Sequence, residues 1–218
     1  MTLLAARTSY SRAEYLSDTV IHVSGLVIVL ITVPVLITLT AILRGDFSAL
    51  LGTTVYGLTL IAMILCSALY NIIGHGRWAW LLQRLDHSAI YAKIAGTYTP
   101  FTLLSGSHAP WLLAGLWGAA LAGMGLKALS PERYRWLALA LYLVMGWAGL
   151  LAGGSFLAAL STPVLTLIVI GGLLYTVGVA FYLFDRLPFH YTIWHVFVLT
   201  ASMVFYAAVT LHMVQTAA

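Results

Sequence analysis

Seven long apolar runs constrain this chain more than any other feature. A helix needs about 20 mostly apolar residues to cross a bilayer, and the runs lie near residues 20–43, 52–74, 87–106, 110–127, 136–153, 160–183 and 190–213. They lack the polar/apolar alternation of membrane β-barrel strands, and lipid satisfies no open backbone hydrogen bonds. We therefore predict an all-α membrane protein, a seven-transmembrane helix bundle over residues 20–213. Residues 1–19 are predicted to form a cytoplasmic segment with an interfacial helix.

The composition agrees with a membrane location. Only 7% of the residues are charged and 62% are hydrophobic, whereas soluble domains carry about 25% charged residues. The net charge is +4. The basic residues stand between the apolar runs instead of clustering on one face, so they argue against a nucleic-acid partner.

The basic residues predict the orientation of the bundle. If the runs cross the membrane alternately, eight of the basic residues lie on the same side as the N-terminus: Arg7, Arg12, Arg77, Arg84, Lys127, Arg133, Arg135 and Arg186. On the other side lies Arg44 alone, and Lys93 lies inside a span. Basic loops mark the cytoplasmic side. We therefore expect a cytoplasmic N-terminus and a C-terminus on the opposite side.

Polar residues converge on this predicted cytoplasmic side. They occupy the end of the second run at Asn71–His75, the start of the third at Asp86–His87 and the start of the seventh at His190–His195. Ionisable groups at membrane depth are costly, so they are candidates for function. By helical spacing, Ser67 shares a face with Asn71, and Tyr191 shares one with His195.

Four of these side chains could supply a metal site. Catalytic zinc takes three His or carboxylate ligands and keeps an open position, and the candidates are His75, Asp86, His190 and His195. No H-x-x-x-H or H-E-x-x-H motif occurs to select among them. The alternative is that these are interfacial histidines hydrogen-bonded to loop carbonyls. We interpret His22, near the start of the first run, in that second way.

Lys93 follows Asp86 by seven residues, which returns it to within about 20° of the same helix face. It could extend along its helix to the cytoplasmic surface, or it could pair with Asp86. A retinal Schiff base is disfavoured because the seventh run contains no lysine.

Several motifs resemble the bacterial hemolysin III family, a branch of the PAQR (progestin and adipoQ receptor) superfamily. The clearest are LDHSAIY at 85–91 and AGTYTPF at 95–101. Further matches are SALY at 67–70, MGW at 145–147 and IWHVFVL at 193–199, together with Glu14, His22 and Gly25. The resemblance covers nearly the whole chain. It implies seven membrane helices with a cytoplasmic N-terminus, in the bacterial inner (cytoplasmic) membrane.

The resemblance also implies a zinc hydrolase site near the cytoplasmic side. Its pattern is Ser-x-x-x-His on the second helix, an Asp opening the third and His-x-x-x-His on the seventh. The three histidines bind zinc and the Asp holds the attacking water. Some relatives are ceramidases, and bacterial members are implicated in membrane homeostasis.

This chain keeps Ser67, Asp86 and His195 of that pattern, but it has Asn71 and Tyr191 in place of the other two histidines. The nearest substitutes along the chain are His75, one turn beyond residue 71, and His190, beside residue 191. Alternatively, Lys93 supplies the positive charge that zinc once supplied to the Asp.

We therefore predict a membrane or lipid homeostasis protein with a degenerate metal site, binding membrane lipids without zinc. Its pocket would contain Ser67, Asn71, Asp86, Lys93, Tyr191 and His195. The alternative is a zinc-dependent lipid amide hydrolase with substituted ligands drawn from His195, His75 and His190, in which Asp86 and Ser67 are catalytic. The enzyme question and self-association into a homo-oligomer stay open. A transporter is disfavoured because no inverted repeat is evident.

Overall fold

The computed structural model describes residues 11–74, 76–104, 110–129, 134–184 and 186–217. Within these ranges all the regular elements are helices. They are α1 (Arg12–Leu43), α2 (Phe47–Ile73), a 3₁₀ turn (Gly76–Trp78), α3 (Ala79–Leu104), α4 (Pro110–Leu129), α5 (Arg135–Ala152), α6 (Gly154–Ala158), α7 (Thr162–Leu183) and α8 (His190–Gln215). The predicted all-α membrane bundle is confirmed.

Six of these helices are long and apolar enough to cross a membrane, namely α1, α2, α4, α5, α7 and α8. The third predicted span corresponds to α3, which is 26 residues long but carries Asp86, Lys93 and several threonines. Its polar side chains are tolerated because this helix is the most enclosed of the bundle, with neighbours in α2, α4, α5 and α8. The count of seven spans stays a prediction.

Contacts between helix ends show how α1, α3, α4 and α8 run relative to one another. Glu14 near the start of α1 accepts the backbone N–H of Phe189, just before α8, at 2.9 Å. Arg84 of α3 donates to the carbonyl of Ala128 at the end of α4, at 2.8 Å. At the opposite end, Arg44 donates to the carbonyl of Thr216 at 2.6 Å. We call the first of these two ends the basic end. It carries Arg12, Arg77, Arg84, Lys127, Arg135 and Arg186.

Side-chain caps define where α1 and α2 begin. Ser11 and Glu14 form a reciprocal capping box, which satisfies two backbone N–H groups at the start of α1. Asp46 caps α2 by accepting the N–H of Ala49 at 2.9 Å, and this hydrogen bond lowers the pKa of the Asp46 carboxyl. The predicted interfacial helix falls partly on residues 1–10, outside the described ranges. From Arg12 onward the chain is already part of α1.

Small residues let α3 approach its neighbours closely, as is usual in membrane bundles. A Cβ atom at Gly96 would collide with the side chain of Thr59 on α2. At Gly123 of α4, a Cβ atom would lie 2.6 Å from ring atoms of Tyr91, which is fully buried in α3. These contacts hold α3 centrally and place its polar residues in the interior.

Candidate functional site

The polar centre of the bundle is formed by Asp18 and His22 of α1 and His195 of α8. One ligand-type atom from each of these residues lies within 4.8 Å of the others. The Asp18 carboxylate is 2.6 Å from Nδ1 of His195, and the two imidazole rings meet edge to face with centroids 4.3 Å apart. His22 is 5% exposed, Asp18 16% and His195 12%. We call these three residues the Asp–His cluster.

Local structure explains why α1 and α8 meet at this point. Glu14, Asp18 and His22 follow one another at intervals of four residues, so they share one face of α1. Glu14 holds the chain just before α8 through the N–H of Phe189. One turn further on, the hydroxyls of Ser17 and Thr192 are hydrogen-bonded at 3.1 Å. These two ties align the first turns of both helices and bring Asp18 opposite His195.

The hydrogen bonds of His22 define its tautomer. Its Nδ1 lies 2.8 Å from the backbone carbonyl of Asp18, and a carbonyl only accepts, so Nδ1 carries the proton. In the neutral ring the lone pair is then on Nε2. That atom lies 3.1 Å from Oγ of Ser67 and 3.4 Å from Nδ2 of Asn71. The cluster therefore extends directly to the polar face of α2.

The structure brings some of the predicted site residues together. His195 is a member of the Asp–His cluster, and Ser67 and Asn71 lie next to it. Asp86, which is 9% exposed, and Tyr191 line the same cavity. The predicted ligand His75 lies outside the described residues. His190 is buried, with its ring against that of Tyr191 at 4.1 Å, and it is not one of the three clustered residues.

Lys93 has neither of the two arrangements considered from the sequence. Its side chain is 3% exposed, so it does not extend to a surface. Its ammonium donates to the hydroxyl of Tyr175 at 2.7 Å instead of pairing with Asp86, and it lies over the ring of Phe205 at 4.8 Å. The Tyr175 hydroxyl is also 2.7 Å from the hydroxyl of Ser202. Direct pairing of Lys93 with Asp86 is therefore wrong, and the replacement of a zinc charge by this lysine stays a prediction.

A cavity of about 540 Å³ connects these polar groups. Its lining extends from Arg12 and Lys127 at the basic end to Lys93 in the interior, and we call the part at the basic end its mouth. The walls between these levels are mainly aliphatic and aromatic. They include Ile64, Ile90, Leu143, Trp147, Leu199 and Phe205. Such a space suits an amphiphile, because it offers polar groups at the basic end and near Lys93, with apolar walls between them.

Sequence reasoning missed Asp18 and misplaced His22, which is a buried member of the cluster and not an interfacial histidine. One signal was available. A carboxylate and an imidazole four residues apart share a helix face, and Asp18 and His22 have this spacing at the start of a membrane run. A search for His-x-x-x-His or His-Glu-x-x-His motifs does not find this Asp-x-x-x-His spacing.

The sequence of this chain was compared with those of known proteins and protein families. The family model for haemolysin-III related proteins matches residues 12–206. The chain belongs to the haemolysin III family. The Hemolysin-3 homolog of Bacillus subtilis (strain 168) is 36% identical over 93% of this chain and 95% of its own length. Hemolysin-3 of Bacillus cereus is 35% identical over the full length of both.

A more distant relative extends the similarity beyond bacteria. The human monocyte to macrophage differentiation factor is 32% identical over 71% of this chain and 67% of its own length. The resemblance to the haemolysin III family, with PAQR relatives, is thereby confirmed.

The zinc ligand set implied by the resemblance does not fit this member of the family. It requires imidazoles at positions 71, 191 and 195, and the chain has Asn71, Tyr191 and His195. The amide nitrogen of Asn71 is engaged with the carbonyl of Ser67 at 2.9 Å. Only one imidazole of the set is present, so no chemistry is derived from zinc at those three positions.

Proposed function

We propose that this haemolysin III protein binds a membrane lipid in its interior cavity and acts in membrane or lipid homeostasis. The observation that supports this proposal is the cavity of about 540 Å³, which has apolar walls and has polar groups both at the basic end and near Lys93. Ligand sites typically have about 300–1,000 Å³. In a protein surrounded by lipid, the most available occupant is an acyl chain with a polar end.

The packing of α5 and α7 supports access from the bilayer. These helices contact each other only sparsely, while α7 packs extensively on α8. Trp147 of α5 bridges the seam by donating to the hydroxyl of Thr176 on α7 at 3.2 Å. Both residues line the cavity. An acyl chain would enter between these two helices and leave its polar end near the mouth.

The expected location follows from the basic end. Basic residues concentrate on the cytoplasmic side of membrane proteins, so the mouth and the Asp–His cluster would face the cytoplasm. The bacillar relatives favour the bacterial inner membrane.

The experiment compares the lipid content of two glycine variants. A Cβ atom at either Gly146 or Gly118 would have nothing within 4 Å, but only Gly146 lines the cavity. Gly146→Leu should therefore lower the lipid that co-purifies in mild detergent several-fold, as measured by mass spectrometry of the extract. Gly118→Leu, exposed on α4, should retain the wild-type amount. Wild-type protein without bound lipid, or equal loss in both variants, would refute lipid binding in this cavity.

A second candidate is a lipid amide hydrolase. The observation that favours it is that Asp86 and Ser67 line the cavity together with the Asp–His cluster. A bound zinc ion would supply Lewis-acid activation of water. Asp86 would orient that water and accept its proton, and the apolar walls would hold the acyl chain. Hydrolysis of a fluorescent ceramide in wild type, abolished in Asp86→Asn, would establish this activity. Equal release by both proteins would exclude Asp86 from it.

A further inference from the structure

We propose that Asp18, His22 and His195 form a metal site that takes a divalent transition-metal ion. This site differs from the ligand set implied by the family resemblance, because two of its three members come from α1. It does not rest on lipid binding, because its ligands are three protein side chains.

The donor set has the right chemistry for such an ion. Two imidazoles and one carboxylate form a common three-ligand set of catalytic zinc sites, and imidazole nitrogens suit zinc, iron, copper and nickel better than calcium or magnesium. The three ligand-type atoms lie within 4.8 Å of one another. They come from two helices whose first turns are joined by the Glu14–Phe189 and Ser17–Thr192 hydrogen bonds.

The surroundings of His22 are those of a ligand histidine. Metal-binding histidines donate their second ring N–H to a carbonyl or carboxylate, which fixes the tautomer and the ring orientation. His22 does this through Nδ1 to the carbonyl of Asp18 at 2.8 Å. The lone pair on Nε2 then faces the polar groups of α2, where Ser67 and Asn71 lie.

The contact between Asp18 and His195 is where a metal would displace a proton. Their carboxylate oxygen and Nδ1 are 2.6 Å apart, so the ring nitrogen donates its hydrogen to the carboxylate. A metal ion can take the place of this proton, because ligand groups are deprotonated when they bind. The cluster lies in the wall of the cavity, so one coordination position would be open to water or to a lipid group.

The alternative is a metal-free cluster held by hydrogen bonds alone, and metal analysis distinguishes the two. Wild-type protein purified without chelator and without a polyhistidine tag should contain close to one equivalent of metal. Asp18→Asn, His22→Gln and His195→Gln should each lower this content at least about 10-fold. His212→Gln, which removes a buried imidazole near the opposite end of α8, should keep it. Metal-free wild type after incubation with zinc, or variants that all retain metal, would overturn the inference.

A measurement on the wild type alone covers the case in which the variants fail to fold. The X-ray absorption spectrum of bound zinc should show only nitrogen and oxygen neighbours, with outer-shell scattering from two imidazoles. A spectrum with sulfur ligands or a single imidazole would refute the site. Lipid content measured on the same preparation separates the two proposals. Lipid without metal overturns only this inference, and metal without lipid overturns only the proposed lipid binding.

Discussion

The hydrogen bond between Asp18 and His195 gives the most direct test of the geometry. The two groups are 2.6 Å apart and 16% and 12% exposed, so little solvent screens them. Hydrogen bonds to charged groups are worth about 1.5–3 kcal/mol. A double-mutant cycle with Asp18→Asn and His195→Gln should therefore give a coupling energy of about 1.5–3 kcal/mol. This corresponds to a factor of roughly 10 to 150 in the unfolding constant.

The assay is equilibrium unfolding in mixed micelles, followed by tryptophan fluorescence, with a chelator present so that bound metal does not contribute. The Arg44–Asp46 pair at the opposite end provides a matched control. Its atoms are 2.9 Å apart, but the side chain of Asp46 is 42% exposed, so the coupling there should be clearly smaller. A coupling at Asp18–His195 below about 0.5 kcal/mol, the range of exposed pairs, would contradict the buried contact.

Three further predictions address packing, charge and capping. Gly123→Ala should lower the free energy of unfolding by about 1–3 kcal/mol, because its Cβ would overlap a buried tyrosine ring. Gly118→Ala, with open space at its Cβ, should be neutral or stabilising. Thermal unfolding of both variants tests this difference. Lys93→Met should raise the unfolding midpoint, since it removes a buried ammonium while Tyr175 keeps its bond to a serine. Asp46→Ala should lower the midpoint at neutral pH. That difference should shrink under acid, because a carboxyl with a lowered folded-state pKa stabilises fully above its ordinary pKa of 3.8 and loses this contribution as the pH falls. A constant difference would argue against the cap.

Hydropathy alone predicted the helical bundle because each apolar run must satisfy its backbone internally in lipid. It placed the start of the third helix poorly. That helix begins at Ala79 and not near residue 87, because Arg84 and Asp86 interrupt the apolar signal over its first turns. Charges on a helix that is enclosed by its neighbours need not end it. A hydropathy profile does not show which helix is enclosed.

The candidate site was predictable in part for the same physical reason. Spacing along one helix identified the face that carries Ser67 and Asn71. It could not reveal that Asp18 meets His195, since 177 residues separate them and the contact depends on which helices close the bundle. Lys93 was misjudged because sequence spacing offers only partners on its own helix. Its hydroxyl partner, Tyr175, is on α7.

The same distinction between neighbours along the chain and neighbours in space gives one more test. A residue one turn from Asn71 on its own helix is displaced by about 6 Å along the axis, whereas His22 on α1 lies 3.4 Å from the Asn71 amide nitrogen. His22 of α1 is therefore better placed than a residue of α2 itself to replace the imidazole that is missing at position 71.

If the Asp–His cluster holds a metal, Asn71→His combined with Tyr191→His should leave the metal content near one equivalent, since the wild type already contains one. If the site is degenerate, the double variant should rise from no metal to one equivalent. Elemental analysis of the two proteins side by side distinguishes a relocated site from a lost one, and metal absent from both would reject the two accounts together.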